Sequence, residues 1–199
     1  NKIEMEIFRN GKLIGYSNYF FTRKGDETII KNQTKFSVKI LGLTIFRVEG
    51  YAEEKYINDQ LISYNSKTFQ NDVKKYVNIN FVKDENKFQI KGSSYNGEAS
   101  VQNIIGNWWN HKILQANTQI SPISGSIKEQ VVTFIGEEKI NQYGKIYTVD
   151  HFTLKSKDMT LPKDKRLDFN IWYDPKNASI VKVSYSRMGN WEYRLKNFE

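Results

Sequence analysis

Between Ile29 and Lys39 the chain alternates cleanly. Ile30, Asn32, Thr34, Phe36 and Val38 share one phase, and Lys31, Gln33, Lys35, Ser37 and Lys39 share the other. A period of two sends successive side chains to opposite faces of a pleated strand, so one face suits an interior and the other water. The alternation recurs along most of the chain, punctuated by tight-turn pairs such as Asn10-Gly11, Asn58-Asp59 and Gly189-Asn190. It predicts seven consecutive strands. They run from Lys2 to Arg9, Lys12 to Arg23, Ile29 to about Ile40, Leu43 to Ile57, Gln60 to Phe69 and Lys74 to Val82, with a seventh ending at Gly92. Short turns between them make a meander.

The rhythm then stops. An irregular insert of about residues 93–128 carries Ser, Asn and Gly at its ends. In its middle, Val101, Ile104, Ile105, Trp108 and Trp109 recur at spacings of three and four, which predicts a short helix between Val101 and Leu114. Ser121-Pro122-Ile123-Ser124-Gly125 reads as a turn. Strands resume from Glu129 to Ile140 and Lys145 to Lys155. After a loop holding Pro162, the chain closes with Leu167 to Tyr173, Ala178 to Met188 and Trp191 to Phe198. No linker or internal repeat divides the chain, so residues 1–199 are expected to form one β domain. About twelve strands curl under their own right-handed twist. The expected fold is therefore all-β, an antiparallel meander wrapped into a half-barrel or barrel, with one short inserted helix in its concave face.

Composition changes this picture little. The formal charge is +8, yet Lys outnumbers Arg by 24 to 6, and 20 Asn and 22 Ile point to a composition bias. Phosphate and base recognition leans on Arg, and the lysines are spread along strands, so nucleic acid is not an expected partner. There is no cysteine, which excludes disulfides and thiolate chemistry. No segment approaches the roughly 18 consecutive apolar residues of a membrane helix. The chain starts at Asn1, and a cleaved export signal is one reason a chain would start there.

Several short segments resemble a bacterial family of exported proteins, domain-of-unknown-function family 6134, itself similar to family 3108. They are Asn10-Gly11-Lys12-Leu13-Ile14-Gly15-Tyr16, Phe36-Ser37-Val38-Lys39-Ile40-Leu41-Gly42-Leu43-Thr44, Trp108-Trp109-Asn110, Ile171-Trp172-Tyr173-Asp174 and Tyr193-Arg194-Leu195. These are strand and turn patterns, so the resemblance implies a fold and a periplasmic or otherwise exported location, and carries no catalytic residues. By analogy of fold alone, curved sheets around a helix also resemble envelope lipoprotein carriers of the Lol type, which bind acyl chains.

No constellation announces a reaction. Asp150 and His151 are strand neighbours and point to opposite faces, so they form no catalytic pair. His111 and His151 lack the further ligands of a zinc site, and no cofactor or metal is expected. Asp150 shares a phase with Ile146, Phe152 and Leu154, which reads either as a structural ion pair or as a polar group in a cavity. Trp108-Trp109-Asn110 pairs flat apolar faces with polar handles and is the densest candidate. The apolar turn Ile40 to Phe46 is either a bent strand packed on the insert or a rim for a ligand, membrane or partner. The expected function is non-catalytic: binding a lipid-like small molecule in the concave face, with Trp108, Trp109, Asn110, Tyr19, Phe36 and Asp150 as ligand-binding residues. The alternatives are an envelope enzyme acting on a lipid or sugar, and an interaction module whose partner protein is unknown.

Overall fold

Fifteen strands join in one sheet. In a computed structural model describing residues 1–199, the first wing is β1 (Lys2–Arg9), β2 (Lys12–Lys24), β3 (Glu27–Ile40), β4 (Leu43–Ile57), β5 (Gln60–Gln70), β6 (Val73–Val82), β7 (Lys87–Gly92) and β8 (Asn96–Ser100). The second is β9 (Ile104–Ile105), β10 (Thr118–Ile120), β11 (Ile127–Gln142), β12 (Lys145–Ser156), β13 (Asp168–Asp174), β14 (Ser179–Ser186) and β15 (Asn190–Phe198). The spatial order runs β8 down to β1, then β15 down to β9. The two chain ends therefore pair in the middle of the sheet, through β1 and β15. All neighbours are antiparallel except β9 and β10.

The alternation read from the sequence is the alternation of the wall. On β3 the outward lysines meet acids of β4 across the ladder, as Lys31 opposite Glu53 and Lys35 opposite Glu49. The inward phase of the same strand faces the interior. Primed turns, with φ positive at both central residues, suit the right-handed twist. Asn10-Gly11 is one, at φ 48° and 75°. At Gly15 the backbones of β2 and β3 come close: a Cβ there would lie 2.0 Å from the Lys35 carbonyl oxygen, so no larger residue fits.

The two edges of the sheet curl toward each other without closing the ladder. The loop Ser121–Ser126 spans the seam. Ser94 N–H donates to Ser124 O at 2.9 Å, while Tyr64 Oη and Ser66 Oγ donate to Pro122 O at 2.9 and 2.7 Å. Gly92 permits the approach, since a Cβ there would come within 2.5 Å of Ser124 O.

The insert fills half of the interior. Ile105, Ile113 and Ile120 are fully buried in it, each contributing roughly 1.5–3 kcal/mol by burial. Ile105 and Ile120 pack with Val77, Ile79, Phe88 and Ile90 of the first wing, and Ile113 packs with Leu154, Ile171 and Val183 of the second. Gln130 holds the insert by donating to Ile113 O and Ala116 O, both at 2.9 Å, while accepting from Gln119 at 2.6 Å. The inserted helix is a single 3-10 turn, His111–Gln115. It is shorter than the spacing predicts, and both tryptophans precede it. The reason lies in the surroundings: a segment enclosed by sheet buries side chains on every side, so a spacing of three and four does not require a helix. Ile104–Ile105 is instead taken up by pairing with β10.

Candidate functional site

Above the insert the interior is not filled. A cavity of about 940 Å³ remains between the inner faces of β2 to β5, the insert, β14 and β15. It opens toward the end of the barrel where the β1–β2, β3–β4, β5–β6 and β14–β15 turns gather. Up-and-down strands put alternate turns at the same end, so this grouping follows from the meander itself.

The β3 phase read from the sequence supplies one wall. Asn32, Thr34, Phe36 and Val38 all line the cavity. The lower part of that wall is polar and internally bonded. Ser17 Oγ and Thr34 Oγ1 lie 2.7 Å apart, Asn32 Nδ2 donates to Ser17 Oγ at 3.1 Å, and Thr34 Oγ1 donates to Asn32 Oδ1 at 3.2 Å. The upper part is aromatic: Phe36 packs edge-on against Trp191 at 5.5 Å and lies 6.1 Å from Phe46, and Trp191 stacks on Tyr185 at 5.7 Å.

At the floor stands Glu54, 2% exposed and with no cation beside it. Its Oε1 accepts from Asn107 Nδ2 at 2.7 Å and from Trp109 Nε1 at 2.9 Å, and its Oε2 accepts from Tyr56 Oη at 2.7 Å. Burial pushes the Glu54 carboxyl from 4.5 up to about 7, against the hydrogen bonds from Trp109 and Tyr56 that pull it down. Burial, and after it the Glu54 charge, also raises Tyr56 and Tyr64, which stay protonated as donors. Asn107, itself 8% exposed and on the cavity wall, keeps its Oδ1 buried without a partner. Glu54 thus ties the insert to β4 and leaves one unsatisfied acceptor at the floor.

The six residues singled out from the sequence divide. Tyr19, Phe36 and Trp108 line the cavity; the Trp108 amide approaches Tyr19 Oη at 3.5 Å, and its ring packs against Phe169 at 5.1 Å. Trp109, Asn110 and Asp150 do not line it. Trp109 turns the other way, into Phe21 at 5.5 Å and Tyr56 at 6.0 Å. Asn110 Oδ1 accepts from the Lys112 amide at 3.1 Å and caps the 3-10 turn. Asp150 is half-buried on β12, opposite Tyr173. His151 stacks on Trp172 at 4.7 Å, its Nδ1 lies 3.0 Å from Glu138 Oε1 and its Nε2 2.9 Å from Asn170 Oδ1, while His111 packs against Tyr173. Glu54 and Asn107 were not singled out, although Glu54 carried the signal that drew attention to Asp150. It is the one acid in the inward phase Val48, Gly50, Ala52, Glu54, Tyr56, while Glu49 and Glu53 hold the wet phase. No group of three or more His, Asp and Glu side chains converges as a metal site, and no helix is long and apolar enough to cross a membrane.

An incompletely closed sheet wrapped over an insert, with a cavity at one end, defines a beta-barrel-like protein. The chain belongs to the family described as Domain of unknown function (DUF6134), which it matches over residues 5–196. Its fold is similar to that of a beta-barrel-like protein of the DUF1849 family from Brucella abortus, at a TM-score of 0.62 and 10% identity over 98% of this chain and 93% of that one. A Bacteroides fragilis protein with a YmcC-like fold aligns at a TM-score of 0.40 and 12% identity over 100% of this chain and 94% of that one. No curated protein matches the chain.

Proposed function

We propose that the chain is a non-catalytic protein of the cell envelope that binds an amphiphilic, lipid-like small molecule inside the barrel. One observation carries the reading: the insert fills one half of the interior and leaves an open cavity of about 940 Å³ in the other half. Binding pockets for small ligands run from roughly 300 to 1,000 Å³ and are mostly apolar with a few placed polar groups. This one pairs an aromatic upper wall with the polar stripe of Ser17, Asn32 and Thr34, as an amphiphilic ligand needs.

Glu54 does not favour an enzyme. Both of its oxygens are engaged by the protein's own donors, and acid–base cleavage of a sugar linkage needs a second carboxyl. The other carboxylate on the wall, Asp168, is paired with Lys155 at 3.8 Å. Glu54 positions the floor.

The test is titration of the protein with fatty acids and lysolipids, read by tryptophan emission and melting temperature. Ligand at about 100 times its Kd should stabilise the fold by about 2.7 kcal/mol, and Trp108→Phe should remove most of the emission change. Native mass spectrometry of protein drawn from its own envelope should show a retained ligand. An unchanged melting temperature across the series, with no retained mass, overturns the reading.

A further inference from the structure

We propose that the open end of the barrel docks on an anionic lipid surface, with the tip of the β3–β4 hairpin set among the acyl chains. The docking joins the hairpin tip, which lies outside the cavity, to cations at the cavity's mouth, so a substitution at the tip separates it from what occupies the cavity.

The turn at that tip is Leu41-Gly42, with φ 49° and 82°. Both values belong to a primed turn, whose first position favours Asn, because a bulky side chain is strained at positive φ. The chain follows that preference elsewhere: Asn10, Asn58 and Asn71 take the same conformation at φ 48°, 47° and 52°. Tyr143, at φ 52°, departs from it for a visible reason, since its hydroxyl donates to Glu6 Oε2 and the Lys196 ammonium lies 4.7 Å over its ring. Leu41 has no such reason. It is 99% exposed, beside Leu43 at 72% and Ile40 and Ile45 at 50% each. On the same end Met188 repeats the pattern, at φ 50° and 88% exposed. Aliphatic side chains in a strained conformation and outside all packing add nothing to folding, so their use lies in contact outside the molecule.

Charge identifies the contact. Arg9, Lys128, Lys163, Arg166 and Arg187 line the cavity on this side, and none is within ion-pair distance of a carboxylate, whereas Lys2, Lys31, Lys35 and Lys55 on the barrel wall are. Three of the arginines are held by rim carbonyls: Arg9 donates to Met188 O, Arg166 to Leu161 O and Arg187 to Arg166 O at 3.3 Å. Burial and the Arg187 charge push the Lys128 ammonium below its usual value, as expected where cations meet without an anion. Against them stand Asp72, Asp158, Asp164 and Asp168, the last already paired with Lys155. The turns at the other end are more acidic: Asp26, Asp59, Asp84, Glu85 and Asp174 stand there against Lys83 and Lys176.

An anionic bilayer fits this surface better than a protein does. A specific protein interface needs about 800 Å² from each partner, more than a projecting hairpin of four aliphatic side chains offers. An interfacial anchor needs only a few inserted apolar groups and cations facing lipid phosphates. Each Lys or Arg near such a surface raises partitioning by about fivefold.

Co-sedimentation of the chain with vesicles of equimolar phosphatidylglycerol and phosphatidylcholine, set against pure phosphatidylcholine, tests the proposal. The wild type should bind the anionic vesicles and bind the neutral ones far less. Leu41→Asn keeps the charge and suits the turn, so its melting temperature should hold or rise while vesicle binding falls at least about tenfold. The pair Lys128→Gln and Arg187→Gln should reduce binding to anionic vesicles alone. The proposal is overturned if the wild type ignores anionic vesicles, if Leu41→Asn binds as the wild type does, or if its melting temperature drops. It is equally overturned if the tip instead joins two copies, seen as a dimer in sedimentation velocity that Leu41→Asn dissolves without any vesicle binding.

Discussion

The two ends of the barrel are built from the same alternating strands, yet one end is solid and the other hollow. At the solid end the insert brings Trp108 and Trp109 onto Ile3, Met5, Ile30, Val149 and Leu195, and side chains from both wings close around them. At the hollow end the inward positions of β3 to β5 include Thr34, Gly50, Ser66 and Thr68, too small to fill the space, while Phe36 packs along the wall on Trp191. The difference teaches where this fold keeps its stability and where it keeps room. A strand pattern decides which side chains point inward; whether they find partners there depends on what crosses the interior. Glu54 lies at the boundary, where the last polar contacts of the insert meet the wall.

The largest expected effect is in the core that the insert makes with the second wing. Ile113→Ala removes a fully buried side chain enclosed by Leu154, Ile171 and Val183. It should destabilise the fold by about 2–5 kcal/mol in urea unfolding. A loss under 1 kcal/mol would mean that the insert is not a fixed part of the core, and the contrast between the ends would disappear.

The boundary should announce itself through pH. Folding raises the Glu54 pKa from 4.5 to about 7, so the proton favours the folded state. This contribution is complete below pH 4.5 and fades as pH rises to 7, a difference of about 3 kcal/mol at most. Glu54→Gln stays neutral throughout. Subtracting its stability curve from that of the wild type should leave a fall between pH 4.5 and 7 and a plateau above. A flat difference would place the carboxylate in water, not under the insert.

The smallest expected effect on stability, and the sharpest on binding, is at the hollow end. Thr68 faces the cavity and meets Gly50 across the ladder. Thr68→Phe places a ring in the open space and should change stability by no more than about 1 kcal/mol, while preventing the fatty-acid response in melting temperature. A large loss of stability would show that the space is already closed.

Much of this was legible beforehand because strands report locally. β1 ends at Arg9 and β4 runs from Leu43 to Ile57, as the turn pairs indicate. The inward phase of β3 appears on the cavity wall residue for residue from Asn32 to Val38. The candidate site was half legible. Tyr19, Phe36 and Trp108 reach the cavity because each carries an aromatic ring on an inward-facing segment. Trp109 and Trp108 are neighbours in the chain and go to opposite sides of it, a choice made by Phe21 and Tyr56 on one side and Phe169 on the other. Glu54 bore the right phase, but its three donors come from β4 itself and from an insert 53 to 55 residues away.

By itself the sequence determined the antiparallel meander, the faces of its strands, the turns and the place of the insert, because each depends on residues within a few positions of one another. The tertiary structure alone decided that β1 meets β15 in the middle of the sheet and that Ser94 reaches Ser124 across the seam. It also decided that the insert fills one end and leaves the other open. Those outcomes depend on how accumulated twist brings distant strands together around a common volume, and no local pattern records the size of that volume.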